Sequence, residues 1–405
     1  MVVFYFFAAL AIWLGILSVR GGLRFRSFVR SDLAQPIVDY TPFVSLIAPF
    51  RGVDQGFREN LTALFNQHYP AYEVIFVTGG NDDPALPIVE EVRIVGARKG
   101  RVESRLVISG EATHSGQKVH NLIAAVTEID RRTEVIVFVD TDARPHDQWL
   151  RSLVAPLHDT GLGASSSYRW FVPLSHSLAA HLRSVWNASI ASALGSNTQK
   201  NFCWGGATAI RRDTFAVLRV AERWQGSVSD DFTLTRVLRE AKLPVHFVPR
   251  CLTASFEDCS FRELLEFTVR QRKITRVYAA HLWQAVLIGG LLFNPVFFGG
   301  LVLVLIRGVL GLSVTAPVIL LTVIFALGAT KAWIRWRAVS KALVNYGASV
   351  SRTPALLSHL FIWPLASALF LYNAVVAAFS RRIAWRGIDY ELISPTEAVI
   401  ISREK

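Results

Sequence analysis

Apolar and polar positions follow two regimes along this chain. Residues 1–19 are uncharged and almost wholly apolar, after which Arg20, Arg24, Arg26 and Arg30 arrive together. Charge that follows the apolar run instead of preceding it predicts an uncleaved membrane anchor over residues 1–20, not a secretory signal. The basic flank predicts that the chain beyond it lies in the cytosol. From about Thr41 to Asp258 short apolar runs alternate with helical spacing, the signature of a mainly parallel sheet covered by helices. Strands are predicted at 44–48, 73–77, 106–108, 135–139 and 164–171, with helices at 57–67, from 117, at 149–157 and after Ser229. Residues 261–277 carry Arg270, Gln271, Arg272, Lys273 and Arg276 on a predicted amphipathic helix. Segments 283–306 and 315–332 are long and apolar enough to span a bilayer. Residues 333–352 are basic and amphipathic and are expected at the interface, and 356–379 is apolar but interrupted by Pro364. Four full spans would leave the basic residues after 380 on the side opposite Arg20, against the positive-inside rule, so one segment, the one with Pro364 foremost, is expected to be re-entrant.

The expected organisation is therefore an anchor (1–20), an α/β domain (21–260), an interfacial helix (261–280), a membrane and interfacial region (281–380) and a basic cytosolic tail (381–405). Composition agrees. The chain is 52% hydrophobic with mean hydropathy +0.35, too apolar on average for a purely soluble protein. Its net charge of +12 admits nucleic acid or a membrane surface as partner. Because many arginines border apolar segments and no nucleic-acid motif is found, the bilayer is the expected partner and nucleic acid is not. Cys203, Cys251 and Cys259 form no CxxC pair, which fits a reducing cytosol. Histidines lack zinc spacing, neither HExxH nor GxSxG occurs, and no internal repeat is found.

The chemistry converges on strand ends. The run Val135 to Val139 ends in Asp140-Thr141-Asp142. Two carboxylates two positions apart at the C-terminal end of a buried strand face the crevice where α/β sheets bind ligands. They repel unless a cation lies between them, and hard oxygen donors suit Mg²⁺ or Mn²⁺ carrying a phosphate; solvated aspartates in a turn are the alternative. The first strand stops at Pro49, Arg51 and Gly52, the second at Gly79-Gly80-Asn81-Asp82-Asp83, and together they build one edge of a nucleotide-sized crevice. Lys118 opens a helix after a glycine-rich stretch without phosphate-loop spacing; it is either a single phosphate or ribose contact or a surface lysine. Gly205-Gly206 after Trp204 permits close backbone approach to a ligand, or makes a tight turn. Asp230-Asp231 at a helix start are either caps or, near a metal, a general base.

Taken together these pieces resemble the membrane-anchored inverting nucleotide-sugar glycosyltransferases, most closely the ceramide glucosyltransferase type and its bacterial relatives. The resemblance runs from Val44 to Arg276 in motif order, with an anchor before and a hydrophobic region after. Asp82 to Ala85 is similar to the family's first aspartate motif, which contacts the nucleotide. Val139 to Asp142 matches its metal-binding DxD, and Ser229-Asp230-Asp231 its acidic pair, whose second member is the base. Ile383 to Tyr390 resembles its closing Trp-Arg/Lys-Gly segment. The family's (Q/R)xxRW signature would fall on Arg270 to Ile274, where Lys273 replaces arginine and Ile274 replaces tryptophan; lysine keeps the charge but loses the planar fork that grips a diphosphate. The resemblance implies a GT-A fold and transfer of a hexose from a UDP-sugar to a lipid hydroxyl such as that of ceramide, with inversion. It implies Mg²⁺ or Mn²⁺ on Asp140 and Asp142, and Asp231 with Asp230 as the catalytic pair. The implied nucleotide-sugar contacts are Pro49, Arg51, Asp82, Asp83, Lys118, Asp140, Gly205, Gly206, Arg270, Gln271 and Lys273. It also implies residence in a cytoplasmic membrane of bacterial type, with the α/β domain cytosolic. A processive polysaccharide synthase shares such a domain but would need more spans and the tryptophan absent at Ile274. A non-catalytic transporter would need intramembrane charge that the spans, apart from Asn294 and boundary Arg307, do not carry.

Overall fold

Continuously apolar runs form the centre of the molecule. In the computed structural model, which describes residues 1–98, 102–349 and 353–403, β1 (Val44–Pro49), β2 (Tyr72–Thr78) and β4 (Val135–Val139) are buried along their whole length. Such strands, branched at Cβ and covered on both faces, belong inside a parallel sheet. With β3 (Glu103–Ile108), β5 (Ala164–Ser166), β7 (Ala207–Arg211) and β8 (Val245–Phe247) they form a seven-stranded sheet of order β3-β2-β1-β4-β7-β5-β8. Only β7 runs antiparallel to its neighbours β4 and β5. The expected α/β class with a mainly parallel sheet is what the chain adopts.

Helices α1 (Val2–Ala34), α2 (Phe57–Phe65), α3 (Leu86–Arg98), α4 (Gln117–Thr127), α5 (Trp149–Val154), α6 (Leu178–Ala191), α7 (Arg212–Val217), α8 (Val220–Trp224) and α9 (Asp230–Glu240) accompany the sheet. One apolar layer packs α2 and α5 residues such as Leu61, Leu64 and Trp149 against Leu46, Phe76 and Val137. The other packs Leu122, Leu234 and Leu238 against Ile47, Ile75 and Ile136. The alternation of these strand residues between the two layers is the period-two geometry of a sheet covered on both faces.

Three expectations are corrected. The strand predicted at 164–171 is two: β5 stays in the main sheet, while β6 (Arg169–Val172) pairs in parallel with β9 (Thr253–Phe256) in a separate two-stranded sheet. The chain changes partner at Ser167 and Tyr168, whose backbones bond to Ala207 and Thr253. The segment predicted as interfacial from 333 instead continues α13 (Thr315–Ala342) as one 28-residue helix. Its second half is amphipathic because it packs on protein: Trp336, Val339 and Ala342 join a core with Phe25, Trp170 and Phe247. Arg352, the end of that predicted segment, lies outside the described residues. Finally, residues expected as a tail form an antiparallel sheet of β10 (Arg382–Trp385), β11 (Ile388–Ser394) and β12 (Glu397–Arg403). It is held by Ile383, Ile388, Tyr390 and Leu392, which pack on Val228 and Ile274.

Between these parts, α10 (Phe261–Tyr278) starts with a Ser260–Glu263 capping box and leads into α11 (Ala280–Asn294), a π-helical turn (Pro295–Gly299) and α12 (Gly300–Val309). Among the described residues, helices long and apolar enough to cross a membrane are Val2–Ala34, Ala280–Val309 and Thr315–Ala342. The first helix outruns the predicted anchor by fourteen residues. The Pro364 segment is a pair, α14 (Thr353–Phe361) and α15 (Trp363–Phe379), bent by 61°, the shape of a broken span or a re-entrant loop.

Candidate active site

The antiparallel course of β7 brings the site together. Ala207 pairs with Val139, so Gly205 and Gly206, just before β7, lie beside Asp140, just after β4. A Cβ on Gly205 would stand 2.2 Å from Asp230 Oδ2 and 2.7 Å from Lys118 Nζ. One on Gly206 would stand 2.3 Å from the Trp204 ring and 2.8 Å from Asp140 Oδ2. The pair of glycines is thus required by the close approach of the site's own charged groups and of Trp204.

Around this point charges interlock. Lys118 Nζ, on the first turn of α4, lies 2.8 Å from Asp140 Oδ1 and 3.3 Å from Asp230 Oδ1. Arg169, at the start of β6, spans both carboxylates of the DxD: its guanidinium donates to Asp140 Oδ2 at 3.1 Å and to both oxygens of Asp142 at 3.0 Å. Its side chain is only 10% exposed and packs over Trp204, 5.0 Å from the ring centroid. Burial raises the Asp140 carboxyl, but Lys118 and Arg169 more than offset that and hold it below its ordinary range. Burial likewise opposes the Lys118 ammonium, yet Asp140 and Asp230 keep it firmly protonated. Asp230 behaves differently. Burial pushes it up, Lys118 only partly compensates, and Asp231 and Asp140 add repulsion, bringing it to about 6.

Both carboxylates start α9, whose N-cap is Ser229: its Oγ accepts from Phe232 N at 3.3 Å. Asp231 is half-buried; its Oδ1 accepts from Ser229 Oγ and, at 2.7 Å, from Phe232 N. Oδ2 of Asp231 has no hydrogen-bond partner among the described residues, and Asp231 lines the cavity. Cap and base are therefore compatible roles here, one for each oxygen.

The cavity measures about 1270 Å³. Its polar end is walled by Pro49, Arg51, Asp54, Lys118, Asp140, Asp142, Arg169, Gly205, Asp230, Asp231, Arg270 and Gln271. Its other end reaches Leu282, Ala285, Val286 and Gly289 of α11 and Phe370 of α15. The C-terminal sheet closes one side: Trp385, Arg386, Ile388 and Tyr390 line the cavity. Arg386 grips Asp54 with contacts of 2.6 and 2.7 Å, and the Tyr390 hydroxyl accepts from the backbone of Gln117 at 3.1 Å. Arg270, over the Trp385 ring, is pulled down to about 10 by burial and by the neighbouring Arg386 and Arg169.

Of the residues expected from sequence, Pro49, Arg51, Lys118, Asp140, Asp142, Gly205, Asp230, Asp231, Arg270 and Gln271 meet in this cavity. Gly206 stands behind it. Asp82 is exposed in the turn after β2, and Asp83 is a brace: it accepts from Gly52 N (3.0 Å), Thr78 Oγ1 (2.8 Å) and Ala85 N (2.9 Å), fixing the loop that carries Arg51. Neither lines the cavity. Lys273 is corrected most clearly. It points out of the site and donates to the Arg382 carbonyl at 2.7 Å, while Arg272, one position earlier, faces the cavity and the Phe370 ring. Arg270, Gln271, Arg272 and Ile274 all border the cavity, whereas the Lys273 ammonium is held away from it by the Arg382 carbonyl. Ile274, where tryptophan was expected, is buried under the C-terminal sheet.

Sequence reasoning missed Arg169, Arg386 and Asp54. Arg386 lay within the Ile383 to Tyr390 segment, which gave a signal of sorts; Arg169 sat unmarked in what read as a single strand.

Among the described residues no cluster of three or more His, Cys, Asp or Glu could hold a metal. Two carboxylates nonetheless suit Mg²⁺ or Mn²⁺, which bind through one or two carboxylates and leave their other positions to phosphate and water. The guanidinium that already bridges Asp140 and Asp142 shows that the pair accepts positive charge at that point.

The chain matches the family described as Glycosyl transferase family 21 over residues 3–398. Ceramide glucosyltransferase 3 of Caenorhabditis elegans is 32% identical over 84 residues, 21% of this chain and 18% of that protein. Glycosyltransferase AglE of Haloferax volcanii is 24% identical over 184 residues, 45% of this chain and 47% of that protein. The chain thus spans less than half the length of these relatives. A solved mannosyltransferase from Pyrobaculum calidifontis, in complex with GDP-Man and Mn²⁺, aligns over 92% of this chain and 99% of its own, with 18% identity and a TM-score of 0.48.

Proposed function

Since the chain belongs to glycosyl transferase family 21, we propose that it transfers a hexose from a UDP-sugar to the hydroxyl of a membrane lipid, ceramide or one like it, with inversion. One observation carries this reading: a single cavity joins the charged cluster at Asp140, Asp142 and Asp231 to the apolar faces of α11 and α15. A polar donor and an apolar acceptor meet only where such environments adjoin.

In this reading Asp140 and Asp142 hold Mg²⁺ or Mn²⁺, which when bound supplies positive charge to the diphosphate. Arg270 and Lys118 bring further cations to that end, while Arg272 lies against the Phe370 ring toward the apolar end. Arg169 bridges the two carboxylates and offsets part of their charge before the donor arrives. Asp231 accepts the proton of the lipid hydroxyl through its free Oδ2 as that oxygen attacks the anomeric carbon from the face opposite the nucleotide. Ser229 and the Phe232 amide fix its other oxygen. Asp230, buried against Lys118, positions the lysine and does not face the acceptor.

The contacts support one membrane arrangement. The C-terminal sheet touches the α/β domain through Arg386 and Asp54, so both lie on one side. Spans α1, α11–α12 and α13 with the bent α14–α15 pair as a re-entrant loop meet that requirement and put Arg20, Arg24, Arg381 and Arg382 in the cytosol, as the positive-inside rule asks.

The test is direct. Purified protein in nanodiscs, given labelled UDP-hexoses and ceramide or diacylglycerol, forms a β-linked glycolipid from an α-linked donor. Asp231→Asn lowers transfer by at least about a hundredfold, in the range of a lost general base, and leaves UDP binding within a few-fold. Retention of the donor's anomeric configuration, or near-normal turnover in Asp231→Asn, would sink the mechanism.

A further inference from the structure

A second cluster of charge lies away from the cavity, where α1 and α13 run side by side in the same direction, with Gly15 beside Leu327 and Gly22 beside Ile334. Arg26 and Arg30 on α1 and Arg337 and Lys341 on α13 converge on a notch of about 30 Å³ floored by Val29 and Ala338. Each pair is spaced four residues apart, so each presents two like charges on one helix face, an arrangement that destabilises a helix when nothing neutralises it. No ion pair or hydrogen bond satisfies these four side chains among the described residues; Arg337 rests only over the Trp333 ring, at 5.7 Å. Asp32, the sole acidic residue in either helix, faces His246 instead, at 3.7 Å.

Depth bears on the chemistry that meets this cluster. The uncharged run of α1 ends at Val19 and that of α13 at Thr330. At 1.5 Å per residue, Arg26 and Arg337 each lie roughly 10 Å beyond those points, at the level of the lipid phosphates flanking a hydrocarbon core. We propose that this notch binds the phosphate of an anionic phospholipid, which neutralises the four cations and clamps α1 to α13. The site is separate from the donor cavity. It rests on reading α1 and α13 as membrane spans, and that reading is checked first: the full-length protein must stay in the membrane pellet after a carbonate wash, and its release would remove the basis of the proposal.

The experiment then compares protein in nanodiscs of mixed phosphatidylglycerol and phosphatidylcholine, with lipids retained after mild detergent extraction counted by native mass spectrometry. Wild-type protein is expected to keep phosphatidylglycerol in preference. A charge-assisted contact with a phosphate is worth about tenfold or more in affinity, so Arg30→Gln/Lys341→Gln lowers retention by roughly a hundredfold. The control double variant Arg20→Gln/Arg24→Gln, which removes equal charge outside the notch, keeps the preference. Equal loss in both variants would mean diffuse attraction and overturn the site. Displacement of the lipid by millimolar inorganic phosphate would assign the notch to a soluble anion and overturn the lipid reading. Because Arg30→Gln/Lys341→Gln relieves repulsion, its melting temperature in a zwitterionic detergent is expected to equal or exceed that of the wild type; a fall would contradict the unneutralised cluster.

Discussion

Replacing Arg169 by methionine removes the guanidinium and keeps most of the side chain's volume. Asp142 then loses all its hydrogen bonds, while Asp140 keeps Lys118 at 2.8 Å. Breaking a buried pair by deleting one partner costs roughly 3–5 kcal/mol. Asp142 is 27% exposed toward the cavity, and water there reduces the cost to about 2 kcal/mol. For a domain of this size that is a fall in melting temperature of roughly 4–8 °C. Manganese acts in the opposite direction. At a hundred times its dissociation constant a ligand bound only by the folded state adds about 2.7 kcal/mol, enough to restore the variant, whereas in the wild type the ion must first displace the guanidinium. Thermal unfolding followed by tryptophan fluorescence, with EDTA or with MnCl₂, is therefore expected to show a large metal-dependent shift for Arg169→Met and a small one for the wild type. An unchanged melting temperature in EDTA would refute the neutralising role of Arg169. A manganese shift no larger than that of the wild type would refute the two-carboxylate cation site.

Three further outcomes follow from the geometry. Gly205→Ala forces a Cβ to within 2.2 Å of Asp230 Oδ2, so UDP binding and transfer, measured by calorimetry and product formation, are expected to fall together by about tenfold or more, in line with overpacking costs of 1–3 kcal/mol. Asp230 has a carboxyl raised to about 6; an unfolded aspartate loses its proton near 4, so stability declines as pH rises from about 4 to 6. Its pairing with Lys118 is lost as pH falls through 6, and the acid limb of the rate profile is expected near 6 and to move in Asp230→Asn. Asp54 and Arg386 join segments 332 residues apart. A double-mutant cycle of Asp54→Asn and Arg386→Gln is expected to give a coupling of about 0.5–1 kcal/mol in chemical unfolding, and a value of zero would deny the contact.

The sheet's centre was legible because burial on both faces leaves strands with no polar alternation to confuse: Val44 to Pro49, Tyr72 to Thr78 and Val135 to Val139 stand where the apolar runs put them. The aspartates at the strand and helix ends were legible for the same reason, since their place follows from the element before them. Arg169 was not. Its role depends on the chain leaving the main sheet at Ser167, and local pattern does not register a change of hydrogen-bond partner. Lys273 misled because a motif assigns charge to a position but not to a helix face. The second half of α13 misled because an amphipathic stripe looks the same whether its apolar side meets lipid or, as here, Trp170 and Phe247. The C-terminal strands did carry period-two burial, with Ile388, Tyr390 and Leu392 inward. The arginines Arg381, Arg382 and Arg386 obscured it.

The wall that β10 and β11 contribute has a bearing on how the enzyme is assembled during synthesis. Trp385, Arg386 and Tyr390 follow every long apolar helix along the chain, so this wall of the cavity is completed only after those helices have been synthesised. The last segment made thereby decides when the cavity is whole, and a chain stopped before residue 382 would lack that wall.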